Sequence, residues 1–195
     1  LRRRPDEGRG GEAIETVRYV ALLRGINVGG KNKLPMKELV ALVAGLGATD
    51  VESYIQSGNV IFEASASVAR DFAGKLEAAI EARFGFESPV VLRSASELAA
   101  VLENPPFGEA PLETRHVGFL AARPTEARVA SLDPARSPGD SFVVRGSEIY
   151  LHLPNGVARS KLTNAYFDSK LGTTSTFRNW KTVVALAGLA ARQSR

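Results

Sequence analysis

Apolar positions recur with two periods along the chain. Tyr19–Arg24 (YVALLR) is a short apolar run bounded by Gly25, which predicts a buried strand. Pro35 opens a helix, with Met36, Leu39, Val40, Leu42 and Val43 at helical spacing and Gly45 and Gly47 ending it. Val51–Gln56 and Asn59–Ala64 alternate around Ser57-Gly58, the pattern of a hairpin with a two-residue turn. That turn would pair Gln56 with Asn59, Ile55 with Val60 and Tyr54 with Ile61. Val51, Ser53, Ile55, Val60, Phe62 and Ala64 then share a core-facing side, and Tyr54, Gln56, Asn59 and Ile61 the other. A second half of the chain, or a partner chain, is expected to cover that other face. Residues 66–84 place Val68, Phe72, Leu76, Ile80 and Phe84 on one helical stripe, and Pro89–Arg93 reads as the next strand. Residues 19–93 thus read β-α-β-β-α-β, the ferredoxin-like order.

A connecting helix is expected at Ala95–Glu103, closed by Pro105-Pro106, and the order then nearly repeats. His116–Ala122 reads as a strand and Pro124–Leu132 as a helix. Ser141–Arg145 and Glu148–Leu153 read as strands joined by Gly146-Ser147. Helices are expected at Ser160–Leu171 and from about Thr176 to Ala191. The second half reads β-α-β-β-α, with a helix where a fourth strand would stand. The expectation is an α+β protein of two ferredoxin-like halves with antiparallel sheets and a C-terminal helical pair. Residues 1–17 would form a disordered tail, 18–94 the first half, 95–114 a connecting helix and linker, and 115–195 the second half. The Arg/Gly/Glu-rich start has almost no apolar content, and no apolar stretch follows its first basic residues, so a signal peptide is not expected.

Composition is that of a soluble globular protein, and no apolar run approaches the roughly 18 residues of a membrane span. The absence of cysteine excludes disulfides, thiolate chemistry and Cys-ligated zinc, and fits a reducing cytoplasm. The net charge of +4 is unevenly placed: residues 19–33 carry three bases and no acid, residues 34–154 ten bases and sixteen acids, and residues 155–195 seven bases and only Asp168. If the fold joins the two basic segments they make one anion-attracting patch; otherwise they are a scattered, solvated surface.

Candidate chemistry lies in those segments. Arg24 to Lys33 (RGINVGGKNK) joins a strand to a helix. Its glycines could let backbone N–H groups approach an anion at a helix N-terminus, with Lys31 or Lys33 neutralising charge, or Gly29-Gly30 could simply turn the chain. It is neither a Walker A loop nor a dinucleotide fingerprint, and no cofactor is expected. Ser160-Lys161 could cap a helix and hold a second anion, or be a plain cap and a solvated lysine. Arg178 and Lys181, three apart, would share a helix face beside Trp180, whose stripe with Val183, Val184 and Ala187 points to a core anchor. Arg178 suits phosphate or carboxylate, Asn179 can hydrogen-bond, and a structural ion pair is the other reading of Arg178. His116 and His152 each alternate with apolar residues, and no metal-ligand spacing or nucleophile elbow appears, so no metal is expected. Glu77 and Glu81 read as a solvated helical pair.

Tyr19–Leu39 (YVALLRGINVGGKNKLPMKEL), Tyr54–Phe62 (YIQSGNVIF), and Ser160-Lys161-Leu162 with Arg178-Asn179-Trp180-Lys181-Thr182 together resemble the domain-of-unknown-function 1697 family of bacterial proteins, in order and spacing over roughly residues 18–190. The resemblance implies an α+β protein with ferredoxin-like halves and implies no activity. From the residues, the expected function is binding of a phosphorylated or polyanionic ligand, a nucleotide or nucleic acid. Arg24, Asn27, Gly29, Gly30, Lys31, Lys33, Lys161, Arg178, Asn179 and Lys181 are the candidate ligand-binding residues. The alternatives are an enzyme on an anionic small molecule and an assembly module that pairs with a second copy of the chain.

Overall fold

The computed structural model describes residues 15–192. The expected tail falls largely outside these residues, and its last two positions belong to the first strand. The elements are β1 (Thr16–Leu23), α1 (Met36–Gly45), β2 (Thr49–Tyr54), β3 (Asn59–Ser65), α2 (Ala66–Ala69), α3 (Phe72–Phe84), β4 (Val90–Ser94), α4 (Ala95–Leu102), β5 (Arg115–Leu120), α5 (Glu126–Ala130), β6 (Ser141–Arg145), β7 (Glu148–His152), α6 (Asn164–Leu171), β8 (Ser175–Asn179) and α7 (Trp180–Ala190). This is an α+β protein with two four-stranded antiparallel sheets, ordered β2-β3-β1-β4 and β6-β7-β5-β8. The two orders correspond strand for strand, so the chain builds the same sheet twice.

Three apolar clusters hold these sheets. On one face of the first, Ala21, Leu23, Val60 and Phe62 meet Leu39 and Val43 of α1 and Phe72, Leu76 and Ile80 of α3. Its other face presents Val20, Leu22, Ile61 and Val91 to Leu98 and Val101 of α4, to Trp180, Val183 and Leu186 of α7, and to Val117 and Phe119 of the second sheet. The second half of the chain therefore covers that face. The outer side of the second sheet packs Leu120, Ile149 and Leu151 against Phe167 and Leu171 of α6. Alternation puts apolar side chains on both faces of each sheet because both are covered.

Two expectations change. The helix expected from Thr176 starts at Trp180, and the residues before it form β8, the fourth strand of the second sheet, which separates the expected helical pair. Asn179 caps α7 by accepting the Thr182 N–H at 2.8 Å. Phe177 lies across Gly118 of β5, where a Cβ would come within 2.7 Å of the ring. The hairpin loop also differs: Tyr54, not Gln56, pairs with Asn59, so residues 55–58 make a four-residue loop. The shift of two leaves the side-chain faces unchanged, but it takes Ile55 off the core and leaves it 51% exposed.

Candidate functional site

The segment after β1 is a compact hairpin held by asparagines. The Lys31 N–H donates to the Val28 carbonyl at 3.0 Å, and between them Gly29 and Gly30 have φ of 58° and 76°. Two successive positive φ angles define a type I′ turn, which glycine enters without steric cost. A Cβ on either glycine would meet nothing within 4 Å. Their role here is therefore the turn, not close backbone approach. Asn27 accepts the Leu34 N–H at 2.9 Å and donates to the carbonyls of Leu34 (3.0 Å) and Gln56 (3.2 Å). Asn32 donates to the Gly25 carbonyl at 2.8 Å.

These bonds bring the glycine turn, the start of α1 and the 55–58 loop around one cleft of about 360 Å³, lined by Asn27, Gly30, Lys33, Leu34, Pro35 and Gln56. Pro35 occupies the N-cap position of α1 and offers no side-chain acceptor, so the first amides of this helix lack a side-chain cap. Glu38 in that first turn is paired with Arg83. Lys31 and Lys33 are exposed, and among the described residues neither forms an ion pair.

The two arginines of the candidate set are engaged within the protein. Arg24 donates from Nη1 to Asp168 Oδ2 at 2.7 Å and to the Ser175 carbonyl at 2.8 Å; Asp168 in turn accepts the Ser175 N–H and hydroxyl. Arg178 lies on β8, not on a helix, and does not share a helix face with Lys181. Its Nε donates to Asn59 Oδ1 (2.6 Å). Nη1 donates to Thr176 Oγ1 (2.9 Å) and the Phe177 carbonyl (2.8 Å), and Nη2 to the carbonyls of Leu23 (2.7 Å), Ser57 (3.2 Å) and Gly58 (3.3 Å). Burial lowers its pKa from the ordinary arginine value to about 10, because no carboxylate offsets the lost hydration. The two basic segments do meet, but as a junction between the sheets.

The remaining candidates stand apart from the cleft lining. Lys161 is exposed, with its backbone N–H donating to Ser137 Oγ. Ser160 does not cap α6; Thr163 does, accepting the Tyr166 N–H at 3.2 Å. Asn179 is spent as a cap, and Lys181 is exposed on α7. Trp180 is buried beneath the Arg115 guanidinium, 4.1 Å from its centre, and burial lowers the Arg115 pKa. Sequence patterning missed Gln56 and Leu34 as cleft residues, and Arg93, which joins β4 to Glu148 at 2.9 Å and to the carbonyls of Leu120 and Ser147. An arginine inside an apolar strand was the available signal for Arg93.

Two further groups bear on chemistry. His116 is half-buried; among the described residues its Nδ1 finds no hydrogen-bond acceptor or donor within bonding geometry, and desolvation lowers its pKa against a raising backbone contact at Thr114. Glu77 accepts the Val90 N–H at 2.7 Å, so it ties α3 to β4, and with Glu81 and Glu87 it lines a separate cleft of about 220 Å³. Among the described residues no helix is long and apolar enough to cross a membrane.

The pattern of the family described as Protein of unknown function (DUF1697) matches residues 17–150, which include the glycine turn, the 55–58 loop and the first sheet from Val17 onward. Among solved structures, that of the conserved bacterial protein SP0830 from Streptococcus pneumoniae is similar, with 28% identity and a TM-score of 0.67. The match covers 90% of this chain and 99% of that one. No curated protein matches the chain.

Proposed function

Because this chain belongs to the DUF1697 family, whose description carries no activity, we propose its function from the site alone: it binds a phosphorylated or otherwise anionic ligand in the cleft between the glycine turn and α1. The observation that carries this reading is Lys33, exposed and without an acid partner among the described residues, on the same cleft as Pro35, the N-cap of α1 that offers no side-chain acceptor. An ammonium group and helix N-terminal amides both favour negative charge. A volume of about 360 Å³ lies within the range of small-molecule sites, at its small end. With Arg178 spent inside the protein, Arg24 Nη1 paired with Asp168, and Lys161 and Lys181 outside the lining, the cleft suits a phosphate-bearing small molecule such as a nucleotide better than a nucleic-acid strand. Its lining residues include no carboxylate or imidazole, so no observation favours the enzymatic alternative. The sheet face that an assembly module would use is covered by α4 and α7.

The test is a calorimetric titration with inorganic phosphate, pyrophosphate and adenosine triphosphate at low ionic strength, repeated with added salt. Binding that weakens as salt rises supports the reading. No heat or melting shift with any of the three at millimolar concentration overturns it.

A further inference from the structure

We infer that Arg178 is a positioning residue for the cleft: from the second sheet it fixes the 55–58 loop of the first, and so sets where Gln56 stands, without touching the ligand. The inference rests on the cleft being the anion site. Two side chains hold the loop from within. Arg178 Nη2 donates to the Ser57 and Gly58 carbonyls, and its Nε holds Asn59. Asn59 Nδ2 donates to the Tyr54 carbonyl at 3.2 Å and to Ser57 Oγ at 2.9 Å. Both ends of the loop thus hang on one guanidinium–amide pair. From the cleft side Asn27 takes the Gln56 carbonyl.

The carbonyls of residues 54, 56, 57 and 58 are all engaged by the protein, Gly58 also by the Leu23 N–H at 2.8 Å. The side chain of Ile55 is left outside at 51% exposure, with φ of 50°. A β-branched residue holds that angle only where surrounding bonds over-determine it. Arg178 cannot itself be the anion's ligand without surrendering these bonds, since all five of its N–H groups are directed to protein acceptors. Lysine offers three donors and no planar fork, so it cannot hold the same set.

The experiment compares Arg178→Lys with Arg93→Lys. Arg93 is as buried and bridges the same two sheets, but it touches nothing in the loop. Backbone order parameters at Ile55, Gln56 and Ser57 are expected near about 0.85 in the wild type and in Arg93→Lys, and below about 0.6 in Arg178→Lys. Pyrophosphate affinity is expected to fall about three- to tenfold in Arg178→Lys. Equal loop order in the two variants overturns the inference, and so does a loss of pyrophosphate affinity in Arg178→Lys with the loop order unchanged, which would mean direct contact. Should Arg178→Lys not fold, the wild type decides: a loop already below about 0.6 is not being held, whatever the variants do. If pyrophosphate does not bind the wild type, the anion reading fails while the order parameters still decide the positioning role.

Discussion

Replacing Arg178 by lysine should cost the protein a large share of its stability. Arg178 is only 9% exposed and has all five guanidinium donors engaged, with no carboxylate partner among the described residues. Burial lowers its pKa to about 10, so the charge depends on these hydrogen bonds to stay in the interior. Lysine keeps the charge but has three donors, so at least two charge-assisted bonds vanish at about 1.5–3 kcal/mol each. The expected loss is about 4 kcal/mol, out of a total stability of about 5–15 kcal/mol for a domain. At about 2–4 °C per kcal/mol for a chain of this size, the melting temperature should drop by about 10 °C. Urea unfolding followed by the fluorescence of Trp180, the single tryptophan and a buried neighbour of this junction, gives the free energy directly. A loss under about 1 kcal/mol would refute the claim that Arg178 fastens the two sheets.

Three further outcomes follow from the same geometry. His116 has its pKa lowered by burial, so the folded state favours the neutral ring. Stability should be full above the ordinary value of 6.5 and decline as pH falls through it, and His116→Gln should flatten a urea-midpoint profile between about pH 7 and 5. Gly58→Ala forces φ of 76° on alanine and sets its Cβ 2.8 Å from Leu23 Cβ, so it should cost about 2 kcal/mol or more. Gly30→Ala, strained but unobstructed, should cost about 1 kcal/mol, and a urea series ranks the two. Asn179→Ala should lose about 1 kcal/mol through the α7 cap and leave pyrophosphate affinity as it was.

Much of the fold was legible because apolar alternation and helical stripes mark burial directly, as in Val60–Phe62–Ala64 and Phe72–Leu76–Ile80. The strand β8 was not. Its buried positions are Ser175, Thr176 and Arg178, polar residues that enter the interior because groups on other elements receive them: Asp168 and Asn164 of α6 for Ser175, Asn59 and Leu23 of the first sheet for Arg178. No local period reports such partners. The 55–58 loop escaped for the same reason, since Ser57-Gly58 alone favours a two-residue turn and bonds from Asn27 and Arg178 override it. Among site residues, the glycine turn, Asn27 and Lys33 were legible from composition and punctuation. The fates of Arg24 and Arg178 were not, because their partners lie more than a hundred residues away.

The account turns on whether Lys33 meets an anion. Pyrophosphate titrations of Lys33→Gln and Lys181→Gln at low salt separate a charge on the cleft from an equally exposed charge off it. Lys33→Gln should weaken binding about tenfold, the value of one charge-assisted hydrogen bond, and reduce its dependence on salt, while Lys181→Gln changes neither. Equal effects of the two substitutions, or no binding by the wild-type protein, would contradict it.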